Sequence, residues 1–353
     1  MASKYNIKVK DLEQLLDIIS AYAGSDEMVE FDIVTLTNAI NRLKNNFDTE
    51  QNISIADKLA RDISLLEEYE DCYDYVLDFL SKGLYFERGV NARYKSLYLT
   101  HDETLDLCMD FYSHQGSFFS VAMDEFYKEK KDHLKFFKPN KHSEGEMVFV
   151  QTTGDAYVLS PNYHNFKKAT ILIHEFEHVI DAYNNPVFYN NMIIREFAAM
   201  FMELIGCDFI AKKLSLKEDH LIRRFDIHSI VKSAAVYIPT KTEVLAFTKE
   251  ITDEPVESVL KKINDKFDID SNYLNYLLDT HLAQDYYYQI SYMIAIELYT
   301  IYQADKDRAL YILMDIVVNG DDENIFEYLK KHSIVLNSNV VNYENDMCFK
   351  LGI

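Results

Sequence analysis

Glycine and proline are scarce in this chain, with 9 and 5 among 353 residues. An all-β protein with many turns would need more of both, so long helices are the economical reading. Tryptophan is absent, and cysteine is limited to Cys72, Cys108, Cys207 and Cys348, with no C-x-x-C pair. That excludes a disulfide framework and a thiolate zinc clip, and reads as buried free thiols of a reducing compartment. The stretch MASKYNIKVKDLEQ lacks the apolar core of a signal peptide, and no run reaches membrane-spanning length. A cytoplasmic protein with no membrane partner is expected. Positive charge is also short: 36 Lys and Arg face 58 Asp and Glu, for a net charge of −22. Such a surface repels phosphate backbones, which sets nucleic-acid binding aside, and at low salt it would attract cationic peptides.

What is present supports a globular protein. Hydrophobic residues make up 48% of the chain, enough for a substantial core in one large or two smaller domains. Helical spacing of apolar residues predicts helices over 11–22, 33–47 and 55–80, a helical layer with a soft boundary near residue 95. Domains 1–95 and 96–353 follow, as two regions or as one continuous body. Beyond the boundary, 104–112 and 118–137 read as helices, and 147–151 and 156–160 as the best strands, separated by the turn Thr152-Thr153-Gly154-Asp155. This hairpin either covers the core or offers the backbone of 156–160 to an extended peptide that adds as a further strand. Helices are expected again over 210–216, 219–236, 256–267, 271–280, 281–302, 306–319 and 325–331, with Gly320 closing the sixth of these. No internal repeat is apparent.

The chemistry concentrates in ILIHEFEHVIDAY, residues 171–183. Here His174, Glu175 and His178 stand in the order H-E-x-x-H. Residues four apart on a helix lie one turn above each other, so the two imidazoles can grip one ion. Zinc suits such a pair, and the adjacent carboxylate suits a general base acting on water. A third ligand is required. After Asn184-Asn185-Pro186 a second apolar helix begins at Met192, carrying Glu196 and Glu203 seven residues apart on one face. Carboxylates on a greasy helix beside a His pair call for a cation. Glu196 is taken as the third ligand to one Zn2+ per chain, and Glu203 as an acceptor that orients a ligand histidine. Exchanged roles for Glu196 and Glu203, or two glutamates on an exposed face, are the alternatives.

HEFEH, a short loop and EFAAMFME together resemble the zinc core of the thimet oligopeptidase and oligoendopeptidase F family. DAYVLSPNYHNFKKATILIHEFEH is similar to that family's strand, Asn-Tyr turn and entry into its zinc helix. The resemblance covers residues 145–320 and implies a mainly α-helical, gluzincin-like zinc-peptidase fold with a small β-hairpin or sheet at the cleft. It further implies that a histidine and tyrosines of a late segment close over the substrate. His281, Tyr288 and Tyr292 occupy one face of the helix over 281–302, and a phenol or imidazole there can stabilise an oxyanion; an aromatic core stripe is the alternative. Three departures stand out: Glu177 replaces the family's usual glycine, the gap between His178 and Glu196 is shorter, and the chain is shorter than usual members. The expected function is a zinc metallopeptidase acting on short unstructured peptides, with Glu175 as base. A non-catalytic helical binding protein with a structural or vestigial metal site is the alternative.

Overall fold

The computed structural model describes residues 54–82, 94–130, 133–139, 144–150, 154–184, 191–216, 218–251 and 254–351. The helices expected over 11–22 and 33–47 lie outside these residues. The described helices are α1 (Ile55–Ile63), α2 (Glu70–Lys82), α3 (His101–Ser113), α4 (Ser117–Lys130), α5 (Lys167–Asn184), α6 (Met192–Lys213), α7 (Asp219–Ala235) and α8 (Ile238–Lys249). They continue with α9 (Val256–Phe267), α10 (Ser271–Leu277), α11 (Leu282–Ala304), α12 (Lys306–Asn319), α13 (Ile325–Lys331) and α14 (Val340–Leu351). Strands β1 (Leu134–Phe137), β2 (Glu146–Val150) and β3 (Asp155–Pro161) form a small sheet between α4 and α5. The protein is therefore mainly helical with one three-stranded sheet.

The centre of the fold is α6, which packs against α5 on one side and α11 on the other. Its residues from Ile193 to Cys207 are buried without interruption. A helix apolar on every side must be enclosed by others. Gly206 lets α5 approach closely, since a Cβ there would lie 2.7 Å from Cδ1 of Ile173. Helices α1 and α2 contribute Leu59, Val76, Phe79 and Leu80 to the same core.

The ends of α6 and α11 are held from afar. Asn191 makes no side-chain cap for α6. Instead Asp322 accepts the free amides of Ile193 and Ile194 at 3.0 and 3.1 Å. The amide of Leu282, at the start of α11, donates to Asp62 of α1 at 3.1 Å. Lys241 reaches both Asp62 and Asp285, at 3.1 and 2.7 Å. These carboxylates satisfy helix amides that have no partner within their own helix.

Several sequence expectations need correction. The helix over 55–80 is two, because the chain turns over 64–69 with Ser64 Oγ bonded back to the Arg61 carbonyl at 2.6 Å. The end of the expected helix over 118–137 is strand β1, which pairs in parallel with β3, Leu134 opposite Val158. A short apolar run does not reveal its period, and the partner strand decided it. Residues 210–213 are the last turn of α6, and 214–216 lie beyond its end, so no separate helix starts there. Helices α8 and α14 were not anticipated. The β2–β3 hairpin is present, with Gly154 in its turn at φ +69°.

One correction concerns function. The strand expected to receive a peptide, 156–160, is central in the order β1-β3-β2. Both its edges are already paired, so it has no row of free backbone groups to offer. In that order β2 is an edge strand.

No described helix is long and apolar enough to cross a membrane. All four cysteines are buried and unpaired.

Candidate metal centre

Helix α5 has no Gly or Pro, and its apolar residues are buried on both flanks, so the His174 and His178 rings are held by a rigid backbone. They meet edge to face one turn apart, with ring centres 5.0 Å apart and planes at 89°. Helix α6 brings Glu196 across to them. Nε2 of His174 lies 3.6 Å from Oε2 of Glu196, and Nε2 of His178 lies 3.7 Å from Oε1. These separations are too long for hydrogen bonds. They are close to the spacing of about 3.3 Å between ligand atoms that a tetrahedral ion with bonds of about 2.0 Å imposes.

The donor set fits a metal. One ligand atom from each of His174, His178 and Glu196 lies within 4.8 Å of the others. Two imidazoles and a carboxylate are a zinc ligand set. Oε2 of Glu196 is buried with no hydrogen-bond partner among the described residues, an arrangement that a shared cation relieves. His174 keeps 18% of its side chain exposed against 6% for His178, so the open side of the site is at His174.

The electrostatics follow from burial and from these neighbours. Burial favours neutral His174, but Glu196 and Glu203 outweigh it and hold the ring well above the usual histidine range. Burial, helped by Arg195 and His174, pushes His178 well below it despite Glu196. Burial raises Glu196, yet His174, His178 and Arg195 bring it down to about 2. Glu203 likewise falls to about 2, because Arg223 and His174 outweigh its burial.

Glu203 lies behind the site, with Oε2 at 3.4 Å from Nδ1 of His174. Its other oxygen accepts two hydrogen bonds from Arg223 of α7, at 2.9 and 2.6 Å. Nothing in the sequence pointed to Arg223.

Glu175 is 5% exposed and packs against the segment entering β2. A Cβ on Gly145 would lie 2.5 Å from its Oε1, so only glycine lets this backbone come so close. Burial pushes the Glu175 carboxyl up to about 8, opposed by His174 and assisted by Glu196, Glu146 and Glu144. Gly145 was legible in principle, as one of few glycines in the chain, placed at the mouth of a strand.

Of the late-segment residues, Tyr288 belongs with this group. The Glu196 carboxylate first, then burial, Glu144 and Glu175, drive its phenol well above the usual range. Tyr292, one turn on, does not join it. It is fully buried, and its hydroxyl lies 3.1 Å from Nδ1 of His228. His228 and Lys232 both reach Glu344 of α14 at 2.8 Å, so Tyr292 sits in a buried network between α7, α11 and α14. His281 is half-buried at the N-cap of α11 and makes no side-chain cap there.

Glu177, in place of the glycine expected from the resemblance, is wholly buried. Neither of its carboxylate oxygens, nor either of those of Asp181 one turn on, has a hydrogen-bond partner among the described residues. Tyr112 of α3 lies beside Glu177, but its hydroxyl donates to the Ile173 carbonyl at 2.7 Å. Burial, with Asp181 adding to it, pushes Glu177 well above the carboxylate range. Burial raises Asp181 to about 8, against Arg195.

The sequence matches no protein-family model and no curated protein. Solved structures are similar to it. One is a protein assigned as oligoendopeptidase F from Bacillus anthracis, at 12% identity and a TM-score of 0.49, covering 92% of this chain and 63% of its own. PZ peptidase A with an inhibitor follows at 12% identity and 0.47, covering 97% and 66%. A protein assigned as a peptidase from Chlamydophila abortus shows 15% identity and 0.46, covering 97% and 61%. This chain thus spans 61 to 66% of the length of those it is compared with.

Proposed function

We propose that this protein is a zinc-dependent metallopeptidase that hydrolyses short, unstructured peptides. The observation that carries the reading is the convergence of His174, His178 and Glu196 in one buried group with Glu175 beside it. A purely structural site has no use for a carboxyl placed there.

His174, His178 and Glu196 would hold the ion. Zinc in such a site supplies Lewis-acid chemistry, acidifying water and polarising a carbonyl. Glu175 takes a proton from the attacking water and passes it to the leaving amine. Burial makes its carboxyl a stronger base than a solvated glutamate, which suits proton transfer near neutral pH. The Tyr288 hydroxyl, kept protonated by Glu196, donates to the oxygen on which negative charge develops. Strand β2, at one edge of the sheet and entered beside Glu175, would take one extended peptide as a further strand. An unstructured peptide can extend along that strand without first unfolding.

The test pairs metal content with one variant. The parent protein is expected to hold about one zinc per chain and to cut short peptides. Glu175→Gln should keep the zinc and the fold and lose cleavage by on the order of 1,000-fold or more, because the amide cannot accept the proton. A folded preparation that takes up no zinc would remove the enzyme reading. Retained zinc without cleavage of any of a diverse peptide library would favour a non-catalytic binding protein.

A further inference from the structure

We propose that Arg223 is a positioning residue of the metal centre, fixing Glu203 and, through it, the ring of His174. The proposal rests on the metallopeptidase reading only in taking His174 as a ligand. Arg223 lies on α7, which carries no ligand. Its Nε and Nη2 both bond Oε1 of Glu203, at 2.9 and 2.6 Å. The pair is buried, with Arg223 8% and Glu203 4% exposed. The two donors anchor Oε1, and the other oxygen of the same carboxylate, Oε2, lies 3.4 Å from Nδ1 of His174. A small ring shift makes that contact a hydrogen bond. As a metal ligand His174 would be neutral, its proton on Nδ1 facing Glu203 and its Nε2 lone pair on the side of Glu196 and His178. A lysine at 223 would bring charge without the rigid fork. The helix bearing Arg223 is itself anchored beside the site. Asp219 accepts the Lys95 amide at 2.9 Å, and Asp226 pairs with Lys167, the first residue of α5, at 3.2 Å. The support of the first ligand thus comes from a third helix, α7, besides α5 and α6.

The test is metal affinity in the full chain, measured by competition of Zn(II) with a chromophoric chelator. The Co(II) absorption spectrum serves as a second readout, and circular dichroism checks folding. Arg223→Met should lower affinity by about 10- to 100-fold and alter the Co(II) spectrum. Arg223→Lys should fall between it and the parent. Glu203→Gln should lose a similar factor, and the double variant Arg223→Met/Glu203→Gln should lose no more than Glu203→Gln alone, because Arg223 acts through Glu203. Should Arg223→Met not fold, Arg223→Lys with and without Glu203→Gln gives the same comparison. Parent-like affinity and spectrum in a folded Arg223 variant, or losses that add in the double variant, would overturn the relay while leaving the metal site standing. A parent protein that binds no metal would bring down the metallopeptidase reading, and the relay with it.

Discussion

At position 177 a carboxyl group is wholly buried, with no hydrogen-bond partner for either oxygen among the described residues. Its ordinary value is 4.5, and in the folded chain it stands well above that. The folded state therefore retains a proton that the unfolded state releases, and stability falls as pH rises above about 4.5. Asp181, shifted from 3.8 to about 8, acts in the same direction over that window. Replacing Glu177 by Gln removes the cost of ionising a buried acid. Glu177→Gln should stabilise the fold at pH 8 by about 1–3 kcal/mol and by much less at pH 4. Denaturant titrations at the two values measure it, and an equal change at both would show that burial of the charge is not what matters. The local sequence announced a bulky charged residue between His174 and His178. It did not announce that the residue turns into the core, because that depends on α3 standing alongside.

At the scale of elements, the site depends on how α6 begins. Glu196 lies in the second turn of that helix, and the first-turn amides are satisfied by Asp322, more than a hundred residues away. Asp322→Ala should destabilise the protein by about 1 kcal/mol, the usual cost of losing a cap. It should also speed hydrogen exchange at the start of α6 more than in its middle. Uniform exchange along α6 would show that packing alone holds the helix end. The same logic separates what was legible from what was not. The α5 and α6 helices were readable because their apolar residues recur at helical spacing. The strand β1 was not, since four residues carry no period, and α8 and α14 lacked a clear apolar stripe. The role of β3 as a central strand was invisible too, because pairing partners come from distant sequence.

For the whole molecule, the excess of acidic residues gives a net charge of −22. On the peptidase reading, peptides bearing Lys or Arg should associate faster than neutral ones of equal length. Their kcat/KM should fall several-fold between about 0.01 and 0.15 M salt as the screening length shrinks from about 30 to about 8 Å, with kcat little changed. Stopped-flow or initial-rate measurements on matched peptides would decide it. A salt-independent preference would place the discrimination in short-range contacts at the cleft.

Composition and spacing were enough for the helical character, the buried thiols and the grouping of His174, His178 and Glu196. Those properties depend on local spacing and composition: four residues set the pair His174 and His178 on one helix face, and seven set Glu196 and Glu203. Tertiary structure decided the rest. It brought Arg223 behind Glu203 and Gly145 against Glu175, drew Tyr292 into a buried network with His228, and left Tyr288 beside the carboxylates. The physical reason is that periodicity tells which face of a helix is apolar, but not which neighbour covers it. One turn along α11 separates Tyr288, in the field of Glu196, from Tyr292, buried in the core, and the packing of α7 and α14 distinguishes them.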